Sequence, residues 1–280
     1  MTTRSARRHA LPLALGGAAM LLALTACSSS DDTSSDPPGR SAASTATSST
    51  SASPKVSGSV TVFAAASLKE SFSTLGKQFE TAYPGTKVTF SFGGSDTLAA
   101  SITAGAPADV FAAASPTTMK TVTDAGDGQG EPSTFVRNQL EIATPPGNPQ
   151  HIATLKDLTR SGLKVALCAK TVPCGSAAQK ALTAGGISLT PVSYEQDVKS
   201  ALTKVELKEV DAAVVYRTDV KAAGGKVDGV QFPESAGAVN AYPIVALKDA
   251  PNPAAAQAFI ALVKSAEGQK VLTEAGFLNP

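Results

Sequence analysis

VTVFAAASLKESF, residues 60–72, decides how the fold is read. Val60-Thr61-Val62-Phe63 is a β-branched and aromatic run of the kind that fits a pleated, buried strand. From Leu68 onward the apolar side chains recur at Phe72, Leu75 and Phe79, which is the spacing of one helix face. Only three alanines and Ser67 stand between the two patterns, so a strand turns almost directly into a helix headed by a serine. No acidic, basic or otherwise reactive group occupies that turn.

The same alternation continues to the end of the chain. Strand patterns fall at 60–65, 87–92, 109–114, 140–144, 163–167, 212–216 and 241–247. Helical patterns fall at 68–83, 97–104, near 154–160, 176–184, 196–207 and 217–223, with two more closing the chain between 253 and 275. Strands alternating with helices predict an α/β fold, with mostly parallel sheets flanked by helices. Ligands of such folds sit beyond the carboxyl ends of the strands, where helix N-termini point. That is where Ser67 falls.

The first residues follow another logic. Arg4, Arg7 and Arg8 precede the apolar run 11–24 and the small-residue stretch Leu24-Thr25-Ala26-Cys27, which reads as a secretory signal over 1–26. Leu-Thr-Ala-Cys resembles the bacterial lipoprotein box, which implies a lipid on Cys27; an ordinary cleaved signal with an incidental cysteine is the alternative. Residues 28–57 are Ser, Thr, Ala and Pro with almost no large apolar group, the composition of a flexible tether rather than a core. Residues 27–57 are thus expected to hang the folded part from the cell membrane, outside the cytoplasm.

The chain's formal charge is +1, and the three arginines of the signal account for more than that, leaving about −2 without them. With no basic face and no basic run interleaved with aromatics, nucleic acid is not an expected partner. Cys168 and Cys174 lie six apart in a compartment where disulfides persist, so they read as a local bridge, with two reduced thiols as the alternative. Zinc would need further ligands, and beyond the signal the only histidine is His151.

The strand-to-helix turns carry the remaining signal. Ala66-Ser67, Gly93-Gly94-Ser95, Cys174-Gly175-Ser176 and Gln196-Asp197-Val198 are built from small residues, which let main chain approach a ligand closely. Helix starts present unpaired N–H groups and a partial positive charge, a site for an anion that needs no lysine or arginine. Ser67 and Glu70 fit a S-x-x-E capping box. Singly, each serine could be only a cap and each Gly-Gly only a turn. No catalytic apparatus accompanies them: His151 sits in the loop-like PPGNPQHIATL, and neither a phosphate-binding nor a dinucleotide-binding glycine pattern occurs. A hydrolase using Ser67 or Ser95 with His151, or an interaction module without a ligand, would be the rival classes.

VFAAASL, SFGGSDTLA, AGAPADVFAAA, VPCG, DVKSAL and VVYRTDV occur in the order found in bacterial extracytoplasmic molybdate-binding proteins, the ligand-capturing components of molybdate ABC importers. The resemblance spans nearly all of 59–280. It implies a two-lobed periplasmic-binding-protein fold of type II, with lobe I at 58–138 plus 242–280 and lobe II at 139–241, crossed near 137–140 and 240–243. It implies a non-enzymatic monomer that takes molybdate or tungstate as ligand, needs no cofactor, and meets the transmembrane permease subunits. Carried over by motif, Ser67 and Ser95 would donate from hydroxyl and main chain, Cys174 and Val198 from main-chain N–H, and Tyr216 from its phenol. Molybdenum would be present only as the oxyanion, without protein–metal bonds. Two departures stand out: Cys174 occupies a position that is often alanine and would brace the donor loop through Cys168, and Asp96 puts a carboxylate beside Ser95. Arg217 could favour anion access or be a surface residue. Another tetrahedral oxyanion such as sulfate is the nearest alternative ligand.

Overall fold

The structure, a computed structural model, describes residues 56–280; the expected signal 1–26, Cys27 and residues 28–55 lie outside the described residues. The described chain begins β1 (Gly58–Ala65), a 3-10 turn (Ala66–Leu68), α1 (Lys69–Ala82), β2 (Thr86–Gly93), α2 (Ser95–Thr103), β3 (Val110–Ala112), α3 (Pro116–Asp124) and β4 (Gly128–Asn138). It continues through β5 (Leu140–Thr144), a 3-10 turn (Leu155–Thr159), β6 (Val165–Cys168), α4 (Pro173–Ala184), β7 (Ser193–Glu195), α5 (Val198–Glu206), β8 (Ala212–Tyr216), α6 (Arg217–Ala222) and β9 (Asp228–Val230). A last 3-10 turn (Pro233–Ala238), β10 (Asn240–Leu247), α7 (Pro253–Lys264) and α8 (Ala266–Glu274) complete it.

Two five-stranded sheets result, in the orders β2-β1-β3-β10-β4 and β7-β6-β8-β5-β9. In the first, β1 pairs in parallel with β2 and β3, while β10 is antiparallel to β3 and β4. In the second, β6 pairs in parallel with β7 and β8, while β5 is antiparallel to β8 and β9. Four strands of each sheet therefore point one way and one is reversed, which is the mostly parallel arrangement expected. The reversed strands are the ones the chain enters on crossing between sheets: β5 follows the single residue Gln139 after β4, and β10 follows Val239. Asn240 and Ala241 pair with Asn138 and Arg137, so β10 joins the first sheet from its first residue.

The cores differ in character. In the first lobe, the buried face of α1 (Phe72, Leu75, Phe79) meets Phe259 of α7, with Phe72 and Phe79 edge-on to its ring at 5.8 and 5.6 Å. Such pairs add ~0.5–1.5 kcal/mol each beyond the area they bury. The second lobe is filled by aliphatic and small side chains, among them Leu140, Ile142, Leu167, Ala177, Ala181 and Val214. Ala66, from the turn after β1, packs into that second core, so the lobes are closed upon one another.

Where the structure departs from the sequence reading, local chemistry explains it. The segment near 154–160 is a 3-10 turn rather than an α-helix, held by reciprocal bonds between Thr154 and Asp157. Helix α3 has only Met119 and Val122 as large buried apolar residues, too few for a periodic signal, and is started by Ser115 and Pro116 instead. Strand β4 carries Pro132 and is polar for most of its length; it is tolerated because it lies at a sheet edge. Strands β7 and β9 are three-residue edges with too little pattern to read.

Candidate functional site

The strand-to-helix turns of the two lobes face each other across one cavity. Its walls include Ser67 after β1, Ser95 opening α2, Cys174 in the first turn of α4, Val198 opening α5, and Tyr216 ending β8. All five residues singled out by motif are thus brought together. The cavity is small, with about 10 Å³ open to the centre of a water molecule, and is walled largely by main chain and small side chains.

The hydroxyls are wired to donate. Ser95 Oγ accepts the Ala114 N–H at 3.0 Å, which leaves its own proton for the cavity. Tyr216 Oη accepts from the Asn240 side-chain amide at 2.7 Å, and its own proton can be directed to the cavity or to Tyr242 beside it. Burial pushes the Tyr216 phenol well above its ordinary pKa, with Tyr242 beside it adding to the rise, so that proton is retained. Cys174 and Val198 are first-turn helix positions, whose N–H groups have no intrahelical acceptor. No lysine or arginine lines the cavity. The one carboxylate in its wall, Asp197, is turned back onto its own helix, accepting from Ser200 N at 2.9 Å and Ser200 Oγ at 3.1 Å.

Ser67 corrects one expectation. It does not form a capping box with Glu70: α1 has Leu68 at its N-cap with no side-chain cap, and Ser67 lies in the preceding 3-10 turn. Its hydroxyl is paired instead with the Tyr242 phenol at 2.9 Å. Glu70 reaches across to the other lobe and pairs with Lys199 Nζ at 2.9 Å. The same ammonium lies 3.1 Å from Asp219, which is fully buried. Burial raises the Asp219 carboxyl to about 6 although Lys199 and the Tyr216 N–H oppose the shift. For Lys199 burial acts downward, but Asp219 and Glu70 together outweigh it and hold the ammonium above its ordinary value.

The remaining sequence candidates fall elsewhere. Cys168, at the end of β6, is joined to Cys174 as a disulfide with Cα atoms 5.8 Å apart, bracing the loop that presents the Cys174 N–H. A bridge over so short a loop contributes about 2 kcal/mol. Asp96 sits in the first turn of α2 but does not line the cavity. Arg217 lines a separate groove with Glu141 and Gln139. His151 is exposed on a loop and is not in the cavity wall, so Ser67 and Ser95 have no base. No cluster of His, Cys, Asp and Glu among the described residues could hold a metal ion.

Sequence reasoning did not single out Lys199, Tyr242, or Asn138 and Asn240, which stand where the chain crosses between the lobes. Gly94 precedes Ser95, and a β-carbon there would stand 2.5 Å from the Gln196 carbonyl of the other lobe. Gly175 is equally constrained, because a β-carbon would collide with the Ala169 carbonyl. The Gly-Gly and Cys-Gly pairs were visible as turns; what each glycine touches was not.

Two α/β lobes, joined by two crossings and closed over a site made of neutral donors, define a solute-binding protein of the two-lobed type. The chain belongs to the bacterial extracellular solute-binding protein family, whose profile matches residues 60–278. The molybdate-binding protein ModA of Mycobacterium tuberculosis H37Rv is 45% identical over 222 residues, covering 79% of this chain and 85% of the relative. The protein of the same name from Escherichia coli K12 is 32% identical over 230 residues, covering 79% and 89%. Among solved structures, the periplasmic molybdate-binding protein of Azotobacter vinelandii superposes with a TM-score of 0.71 at 22% identity, covering 79% of this chain and 99% of that one. As a member of this family the chain is an extracellular solute-binding protein rather than an enzyme.

Proposed function

We infer that this chain captures molybdate, and tungstate with it, in the interlobe cavity and delivers it to the permease of an ABC importer. Ser67, Ser95 and Tyr216 donate hydroxyls to the anion, and Cys174 and Val198 donate main-chain N–H groups. The observation that carries the reading is the donor-rich wall: three buried hydroxyls and two helix starts converge with no cationic side chain, and the one carboxylate, Asp197, is turned back onto Ser200. Such a wall suits a fully deprotonated tetrahedral dianion, which offers acceptors on every side. Hydrogen phosphate would bring a proton with no acceptor to meet it, at a cost of ~1–3 kcal/mol. Tungstate shares molybdate's charge, shape and nearly its size. The ligand is cargo rather than cofactor. The same reading places a lipid on Cys27, so that the monomeric binding unit works at the outer face of the cell membrane, with the Cys168–Cys174 bridge oxidised there.

Thermal unfolding in the presence of molybdate, tungstate, sulfate or phosphate tests it. A ligand at about 100 times its Kd stabilises by ~2.7 kcal/mol, several degrees for a chain of this size. A rise with molybdate and tungstate alone is expected. A rise with sulfate instead would keep the site and change the cargo, and no rise with any of the four would remove the binding function.

A further inference from the structure

Behind the cavity wall, the two strands that connect the lobes carry asparagines at paired positions, Asn138 ending β4 and Asn240 starting β10. Their orientations are fixed by what faces them. Asn138 Oδ1 accepts the Gln139 main-chain N–H at 3.0 Å, so its other terminal atom is the amide nitrogen. That nitrogen donates to Thr218 Oγ1 at 2.8 Å and to the Tyr242 oxygen at 3.3 Å, using both hydrogens. Asn240 faces the Pro173 carbonyl, which can only accept, and its amide nitrogen donates there at 3.2 Å and to Tyr216 Oη at 2.7 Å. Neither amide has a hydrogen left over.

Directionality then propagates. Tyr242 Oη receives a hydrogen bond from Asn138 and keeps its own proton, because burial pushes its pKa far upward. Ser67 Oγ, 2.9 Å away, is placed to accept that proton. Ser67, with one lone pair filled from behind, turns its own proton to the cavity. We propose that Asn138 and Tyr242, with Asn240 acting directly on Tyr216, are positioning residues that set the hydrogen-bond polarity of the cavity and so exclude oxyanions that carry a proton. The proposal rests on the oxyanion reading above. It adds that selectivity is determined at the hinge, by residues that need not touch the ligand.

Tyr242→Phe is the test, because it removes one hydroxyl and retains the ring that packs edge-on against Tyr216 and Phe277. Ser67, no longer filled from behind, becomes free to turn and accept. Molybdate affinity by calorimetry is expected to fall about tenfold. Phosphate and sulfate would then each be titrated against bound molybdate at mildly alkaline pH, where phosphate still carries one proton and sulfate none. The phosphate excess needed for displacement should fall by about tenfold or more relative to the sulfate excess. Asn138→Ala should shift the same ratio in the same direction and covers the case in which the first variant fails to fold. An unchanged phosphate-to-sulfate ratio in folded variants of either kind, whatever happens to molybdate affinity, would overturn the proposal. Failure of the unsubstituted protein to bind molybdate would instead remove the underlying reading.

Discussion

Gly94→Ala is expected to weaken molybdate binding by roughly tenfold to 100-fold while leaving the stability of the ligand-free protein almost unchanged. The main chain at Gly94 has φ −60° and ψ 130°, which alanine adopts without strain. The added methyl meets two neighbours: the Asp96 side chain at 2.7 Å and the Gln196 carbonyl at 2.5 Å. The first can rotate away. The second is main chain of the opposite lobe, and relieving that contact requires the lobes to stand further apart. Overpacking of this sort costs ~1–3 kcal/mol, and here the penalty falls on the closed form alone. Calorimetric titration gives the affinity, and urea unfolding without ligand gives the stability. Loss of stability equal to the loss of binding would show that Gly94 matters to the fold of its own lobe rather than to closure.

Lys199→Met should have the opposite signature, a loss of ~3 kcal/mol in stability before any ligand is added. Lys199 is the counter-charge of the fully buried Asp219, and removing one partner of a buried pair strands the other. The pH dependence identifies the cause. Asp219 is raised in the folded protein from its ordinary 3.8 to about 6, so the folded state holds a proton that the unfolded chain releases between those values. Its contribution to stability is therefore complete at low pH and declines as pH rises through about 6. Without Lys199 that carboxyl titrates still higher, so the deficit of the variant should be largest at neutral to alkaline pH and shrink as pH falls through about 6. Lys199→Met combined with Asp219→Asn should recover most of the loss at neutral pH. A deficit independent of pH, or not relieved by Asp219→Asn, would mean that the aliphatic part of Lys199 rather than its charge holds this corner. Its bond to the half-exposed Glu70 contributes to lobe closure, but pairs that exposed contribute under ~1 kcal/mol.

Much of this architecture was legible because the residues that encode it are neighbours in the chain. Val60 through Phe79 announce a strand, a small-residue turn and a helix within twenty positions, and the same grammar recurs at Gly93-Gly94-Ser95 and Gln196-Asp197-Val198. The five residues proposed as donors stand at such turns, and a parallel α/β sheet brings turns of one kind to one edge. What could not be read depends on distant partners. Ser67 looked like a helix cap because Glu70 stands three residues on, yet its partner is Tyr242, 175 positions away. Asn138 meets Tyr242 across 104 positions, and Lys199 meets Glu70 only because the lobes close. Strand β4 was hidden for another reason: an edge strand with a proline and few buried side chains has no periodic pattern to find. Turn chemistry is local and leaves its mark in sequence, whereas hydrogen-bond polarity at a hinge belongs to three dimensions.

The most direct measurement of the central claim is anomalous diffraction at the molybdenum absorption edge from crystals grown with molybdate. A single peak is predicted between the lobes, with ligand oxygens in hydrogen-bond reach of the Ser67, Ser95 and Tyr216 hydroxyls and the Cys174 and Val198 N–H groups, and with no lysine or arginine in contact. A peak outside the cleft, or one held there by a cationic side chain, would contradict it.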